Sequence, residues 1–477
     1  MKWITRARVE AVTAGTEPDP KLTPKAVTGL GGAGLVASPA QPIRFWEAFR
    51  LWLKLGLIGF GGPAAQIALM HRELVEQRRW ISERRFLHAL NYCMLLPGPE
   101  AMQLATYMGW LMHRTWGGVV AGALFVLPGL GFLIALSWIY VAFGSVPVVA
   151  GLFYGIKPAV TAVVVHAVHR IGSRALKNGL MWAIAAAAFV AIFALQVPFP
   201  AIVVGAALIG YVGGRLAPDR FRVGGHGAAS RSYGPAVIDD ETPTPAHARF
   251  RWSGLVRVGA AGLALWLVPM ALLLLSYGRD HTLTQMGRFF TKAALLTFGG
   301  AYAVLPYIYQ GAIGHHGWLT PTQMIDGLAL GEANPGPLIM VVAFIGFVGA
   351  YGQALFGPDM LFVAGAVAAA LVTWFTFLPS FVFILAGGPL VESTHGNLRF
   401  TAPLTGITAA IVGVILNLAV FFAYHVLWPQ GFAGSFDGVA ALIAVAAAVA
   451  LVRYKRNVIH VLAACALVGL IVRMLGL

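Results

Sequence analysis

Charged side chains are scarce in this sequence. Asp, Glu, Lys and Arg make up 11% of its 477 residues, whereas 58% are hydrophobic and the mean hydropathy is +0.77. Soluble domains carry about 25% charged residues, so this chain could not cover a surface exposed to water. The composition excludes a cytosolic enzyme, a disordered chain and a secreted disulfide scaffold, and it predicts an all-α polytopic membrane protein.

Cysteine is rare as well, since Cys93 and Cys465 are the two in the chain. Two distant thiols in apolar runs form neither a zinc site nor a disulfide framework, and we expect no metal and no cofactor. The net charge of +15 would suggest a nucleic-acid partner in a soluble protein. Here the Lys and Arg residues gather in loops, where they fix membrane topology, so we expect a lipid bilayer and no nucleic acid.

Two stretches lack long apolar runs. Residues 1–44 have no signal-peptide core and are expected to form a disordered cytoplasmic tail. Residues 215–252 contain six arginines and several prolines, and we expect them to form a cytoplasmic linker. These stretches delimit a first transporter repeat at 45–214, an unpaired transmembrane helix at 253–278 and a second repeat at 284–477.

The two repeats share rare residues in one register. The Phe-Gly-Gly motif at 60–62 recurs 238 residues later at 298–300, and so does the Pro-Gly-Pro motif at 97–99, which recurs at 335–337. After a 13-residue insertion near 351–363 the offset becomes 251. A register that holds over so many rare residues indicates duplication. In a membrane protein, duplication is typical of a secondary transporter.

The motifs interrupt apolar arms of about 13–15 residues, which reach about 20 Å at 1.5 Å per residue. The hydrocarbon core is about 30 Å thick, so we predict broken or re-entrant helical hairpins and about 9–13 membrane segments. The first hairpin loop carries five arginines between 72 and 85, whereas the loop at 311–321 has no Lys or Arg. The positive-inside rule then predicts inverted-topology repeats with a cytoplasmic N-terminus.

The helix breaks form the candidate substrate site. Glycine lets the chain turn and proline suits a helix start, so each second arm would present free N–H groups and a positive dipole end to an anion. Close packing of helices at small residues is the alternative interpretation. The break residues are Phe60, Gly61, Gly62, Pro63, Pro97, Gly98, Pro99, Phe298, Gly299, Gly300, Pro335, Gly336 and Pro337.

Three lysines are candidates for holding an anion. Lys54 lies six residues before Phe60 and is repeated as Lys292. These two lysines either supply positive charge to an anion or extend their side chains to the membrane–water interface. Lys157 lies deep in an apolar segment, and its repeat position is Thr408. A charge within the membrane is a functional candidate by default.

Polar residues beside the Pro-Gly-Pro breaks complete the candidate site. Glu100 either caps a half-helix or carries a coupling proton, and Gln103, one turn later, could donate to an oxyanion. Glu332 and Asn334 precede the second Pro-Gly-Pro motif.

Four stretches closely resemble the chromate ion transporter family: FGGPAAQIA at 60–68, LPGPEAMQLATYMGW at 96–110, TFGGAYAVLP at 297–306 and GEANPGPLIM at 331–340. The likeness extends over residues 44–477, and it is to the long, two-repeat form of the family. Met102 lies at a position where the family pattern has Gln. It implies a transporter of the bacterial inner membrane that exports chromate, depends on the proton motive force and confers chromate resistance. The expected partners are therefore chromate and protons.

Several alternatives stay open. Chromate and sulfate are both tetrahedral dianions, so we expect sulfate to compete, and a sulfate-type oxyanion importer or an anion channel would use the same breaks. Strict coupling to a proton gradient would count against a channel. An intramembrane enzyme would need a nucleophile with a base, a metal cluster or paired carboxylates, and we predict no catalytic residue. The sequence is compatible with a homodimer.

Overall fold

The computed structural model describes residues 43–221, 233–240, 242–243, 245–393 and 401–475. The predicted tail, except its last two residues, and the centre of the predicted linker lie outside the described residues. The described chain is built from α-helices, and no strand occurs within it.

The first half contains seven helices, of which the two long ones come fourth and fifth. They are α1 (Phe45–Ile58), α2 (Gly62–His71), α3 (Glu83–Leu95), α4 (Glu100–Phe143), α5 (Pro147–Ala175), α6 (Gly179–Phe193) and α7 (Phe199–Leu216). The short α8 (Pro218–Phe221) and the long α9 (Trp252–Tyr277) follow.

The second half repeats this order. Its helices are α10 (Thr282–Leu295), α11 (Ala301–Tyr309), α12 (Pro321–Glu332), α13 (Val341–Gly352), α14 (Leu361–Ser393), α15 (Thr401–Leu427), α16 (Gly438–Val452) and α17 (Val458–Met474). Even the π-helical turns at Arg72–Gln77 and Gln310–His315 are 238 residues apart. Because π-helical turns are rare, their recurrence confirms the duplication in the backbone itself.

The predicted insertion has a simple structural form. In the first half α4 continues across a kink, where Arg114 has a φ of 57°. In the second half the chain leaves α13 at Gly352 and re-enters a helix through a turn at Pro358–Met360. The helix α14 is therefore equivalent to the part of α4 that follows the kink.

The halves are inverted with respect to each other, as predicted. The ring of Trp138, near the end of α4, lies 5.9 Å from that of Phe362 at the start of α14. Near the other end, a Cβ atom built on Gly118 would lie 3.1 Å from Leu385. Equivalent helices of the two halves thus run antiparallel, which is the mark of inverted-topology repeats.

The two halves interlock through a duplicated glycine contact. A Cβ atom on Gly155 of α5 would lie 1.9 Å from the carbonyl oxygen of Cys465 on α17. Its equivalent, on Gly406 of α15, would lie 2.4 Å from the carbonyl oxygen of Ala206 on α7. Each half therefore packs the terminal helix of the other against its own central helix, and small residues allow that close approach.

Within the described residues, six helical segments are long and apolar enough to cross a membrane: Glu100–Phe143, Pro147–Ala175, Phe199–Leu216, Trp252–Tyr277, Pro358–Glu392 and Ala402–Leu427. The unpaired α9 leaves most of its large apolar side chains exposed, including Leu265, Leu272 and Leu275. An apolar face of this extent suits lipid. The chain is thus a multi-pass membrane protein.

The interlocking contact generates a stability prediction. We expect Gly155→Ala to lower the thermal unfolding midpoint of the purified protein, because the added methyl group meets backbone and overpacking costs about 1–3 kcal/mol. The matched control is Gly205→Ala on α7, where a Cβ atom meets nothing within 4 Å. Equal midpoints for the two variants would contradict this packing.

Candidate functional site

The first break of each half depends on paired glycines. Gly61 and Gly62 have φ values of 93° and 77°, and Gly299 and Gly300 have values of 77° and 96°. L-residues with a side chain rarely adopt this left-handed backbone region, so the backbone conformation at both breaks requires glycine. Pro63 then lies in the first turn of α2, as predicted.

The second break of each half is the Pro-Gly-Pro motif. Pro99 is the N-cap of α4, so the helix begins at Glu100, one position later than the sequence indicated. Pro337 likewise precedes the turn Leu338–Met340 that leads into α13. A fixed proline φ suits a residue that directs the chain into a helix.

The four breaks are joined to one another across the two halves. The backbone N–H of Gly98 donates to the carbonyl oxygen of Thr297 at 2.7 Å. The side chain of Gln66 donates to the carbonyl oxygens of Gly59 at 2.7 Å and Gly336 at 2.6 Å. The hydroxyl of Tyr302 donates to Glu332. We call the residues 59–62, 96–99, 296–300 and 333–337, together with the side chains that bond to them, the central site.

The helices that start at the central site lack side-chain caps. No side chain caps the N-termini of α2, α4 or α11. By contrast, α3 and α12, which start in the hairpin loops, are capped by Ser82 and Thr320. The first N–H groups of a helix have no intrahelical partner, so the central site presents donors and positive dipole ends together.

Buried amide side chains at the central site have atoms without partners. These atoms are Oε1 of Gln66, Oε1 of Gln103 and both polar atoms of Asn334. The amide nitrogen of Gln103 is engaged, because it donates to the carbonyl oxygen of Pro97 at 2.8 Å. Buried polar atoms are nearly always hydrogen-bonded, so this concentration indicates a place for water or a polar ligand.

Two acidic residues lie beside the helix breaks. Glu332 is 5% exposed and accepts the Tyr302 hydrogen bond. Glu100 is partly exposed, and its Oε1 lies 4.0 Å from the position of a Cβ atom built on Gly300.

The first breaks of the two halves lie in different surroundings. Ala64 and Ala65, at the start of α2, are exposed, whereas their equivalents Tyr302 and Ala303 in α11 are buried. A Cβ atom on Gly62 would meet nothing within 4 Å. The duplicated sequence therefore has one accessible and one enclosed copy of the same break.

The structure does not bring the predicted lysines of the hairpin arms to the breaks. Lys54 pairs with Glu73 at 2.6 Å, and Arg78 approaches the same carboxylate at 3.4 Å. Lys292 is exposed and forms no ion pair within the described residues. The residue equivalent to Glu73 is Gly311, so the ion pair is not repeated.

Lys157 occupies a different place. Its Nζ lies 3.6 Å from Oδ2 of Asp326, at the wall of a cavity of about 740 Å³. The structure thus brings together the break residues, Glu100, Gln103, Glu332 and Asn334, and it places Lys157 apart from them.

Several residues of these clusters were missed from the sequence. Gln66, Tyr302 and Asp326 each lie within an apolar run, where a polar residue is a signal that could have found them. Thr297 contributes through its backbone, for which no side-chain signal exists.

Inverted repeats whose broken helices meet at a polar cluster between the halves define a secondary membrane transporter. A family model described as "Chromate transporter" matches residues 46–211 and 284–470, one stretch in each half. The chain belongs to the chromate transporter family.

Similar proteins carry related descriptions. The chain is 35% identical over 377 residues to the chromate transport protein of Pseudomonas aeruginosa, a match that covers 78% of this chain and 80% of that protein. It is 29% identical over 425 residues to the chromate transport protein of Cupriavidus metallidurans, covering 88% and 91% respectively. No solved structure matches the chain.

Proposed function

We propose that this protein exports chromate from the cytoplasm across a bacterial inner membrane, driven by the proton motive force, and so confers chromate resistance. Membership of the family supports chromate transport itself. The observation that carries the proposal of a substrate site is the meeting of uncapped helix starts with unpartnered amides at the central site.

The chemistry of the central site suits a tetrahedral oxyanion. Each helix start offers several N–H donors and a partial positive charge of about half a unit. The side chain of Asn334 adds a buried donor without a partner. Lys54 and Lys292 remain predicted sources of positive charge on the arms that precede the first breaks.

The carboxyl groups of Glu100 and Glu332 are the candidates beside the helix breaks for carrying the coupled protons. The membrane potential contributes independently. A dianion that leaves a compartment 100 mV negative gains about 4.6 kcal/mol, at about 2.3 kcal/mol per charge.

Transport in inverted membrane vesicles tests the substrate site. We expect energised vesicles to accumulate chromate, and Asn334→Ala to reduce initial uptake about tenfold, because a buried hydrogen bond to the oxyanion is lost and is worth about 1–2 kcal/mol. The matched control is Gln430→Ala in the exposed loop before α16. Equal uptake by the two variants at equal expression would contradict the proposal that the substrate site lies at the helix breaks.

Sulfate provides a second test in the same vesicles. Backbone N–H groups select an anion by its charge and shape, which chromate and sulfate share. We therefore expect excess sulfate to inhibit chromate uptake competitively. The measurement is the initial chromate rate as sulfate is varied. A chromate rate that does not change with sulfate would show that the site distinguishes the two dianions. Sulfate accumulation without chromate accumulation would contradict the proposal that chromate is the substrate.

The orientation in the membrane is also a proposal, with the N-terminus and residues 215–252 in the cytoplasm. Native Cys93 and Cys465 are buried, so single-cysteine variants should label against a low background. We expect Lys177→Cys to react with an impermeant maleimide in inverted vesicles, and Gln430→Cys to react in right-side-out vesicles. The opposite pattern would reverse the orientation of the whole chain.

A further inference from the structure

A second polar cavity lies away from the central site. Its volume is about 740 Å³, far more than a single water molecule needs. Its rim is formed by residues at helix ends and loops, among them Gly144, Gly317, Gln353 and Arg473. Its wall includes Lys157 of α5 and Asp326 of α12. Asp326 lies six residues before Glu332, or about 9 Å along the helix.

Asp326 is a buried carboxyl group with incomplete partners. Its side chain is 2% exposed, and Oδ2 receives a hydrogen bond from the hydroxyl of Tyr140 at 3.0 Å and faces Lys157 at 3.6 Å. Its other oxygen, Oδ1, is buried without a partner. Lys157 is 29% exposed. The ammonium group is therefore the more accessible member of the pair.

Other charged groups around the cavity are few. Arg473 of α17 lies at the rim, and Tyr154 of α5 donates to Asp437, the N-cap of α16, at 2.9 Å. The groups that face Asp326 directly are Lys157 from α5 and Tyr140 from α4. An anion entering the cavity would thus meet two cations, Arg473 at the rim and Lys157 in the wall, and Asp326 is the nearest competing negative charge.

We propose that this cavity is a second oxyanion site, in which Lys157 binds the anion and Asp326 is the internal anion that it displaces. The proposal rests on the proposed function, because the ligand is the same tetrahedral dianion. A bound dianion, the buried carboxylate of Asp326 and one ammonium group together carry a net charge of −2, so the dianion and the carboxylate repel each other at short range. Asp326 relieves this by taking one proton from solvent when the oxyanion binds, and it returns the proton when the oxyanion leaves.

The site belongs to one end of the protein. The repeat position of Lys157 is Thr408, whose hydroxyl donates to the carbonyl oxygen of Leu404 on its own helix at 2.8 Å. A second copy of the site is therefore missing from the equivalent place in the described second half. The rim loops, at Gly144 and Gly317, belong to the side predicted to face outward. The cavity would accordingly be the place from which an exported oxyanion leaves.

Binding and proton uptake by the full-length protein in lipid nanodiscs test this site. The probe is chromate at alkaline pH, where it is a dianion, and a dye in weak buffer reports proton uptake. We expect Lys157→Gln to weaken chromate binding about tenfold or more, as a charge-assisted hydrogen bond is lost. We expect Asp326→Asn to bind at least as tightly as wild type while taking up one proton fewer.

Two controls keep the test decisive. Lys157→Gln with Asp326→Asn leaves no unpaired buried charge, so a folded double variant that binds weakly separates binding from folding. Lys177→Gln, in the exposed loop after α5, controls for loss of a positive charge. Binding by Lys157→Gln equal to that of Lys177→Gln, unchanged proton uptake in Asp326→Asn, or no chromate binding by wild type would each overturn the proposal.

Vesicle transport distinguishes this failure from failure of the proposed function. Energised chromate uptake by wild type, together with variants that bind and take up protons as wild type does, would overturn the second site alone. Binding that depends on Lys157 in a protein that shows no energised uptake would overturn the export function and leave the site in place.

Discussion

A membrane offers no water to an interrupted helix, and this constraint governs the whole structure. Backbone N–H and C=O groups that leave the helical pattern at membrane depth must be satisfied by protein or face a polar cavity. The described residues contain four helix breaks, at the Phe-Gly-Gly and Pro-Gly-Pro motifs, and the fold brings these four together, so that the N–H of Gly98 and the side chain of Gln66 each bond a carbonyl oxygen of the other half. The remaining donors and amide atoms make that meeting point a candidate for an anion.

The inverted duplication makes this meeting possible. Because equivalent helices run antiparallel, the hairpins of the two halves approach the same region from opposite directions. The close contacts of Gly155 with α17 and of Gly406 with α7 hold the halves together on both sides. The repeats are similar in register and unlike in surroundings, since the start of α2 is exposed and that of α11 is buried. Lys157 adds a charge to one half only.

The sequence predicted the architecture well because its signals were local. Glycine pairs, Pro-Gly-Pro motifs and their common offset reported the breaks and the duplication, and loop arginines reported the inversion. Contacts between distant positions could not be read in this way. Nothing local indicates that Gln66 would reach Gly336, 270 residues away, that Lys54 would pair with Glu73, or that Lys157 would face Asp326. Such pairs depend on which helix faces meet, and hydrophobic pattern alone does not specify this.

The central claim is that the helix breaks of the two halves form one oxyanion site. A cryo-electron microscopy structure of the protein with chromate bound tests it most directly, because a chromium centre and its four oxygens give distinctive density. The account predicts density between the starts of α2, α4 and α11, within hydrogen-bonding distance of backbone N–H groups. Density confined to the Lys157 cavity, with the breaks closely packed and unoccupied in transport-competent protein, would contradict the claim.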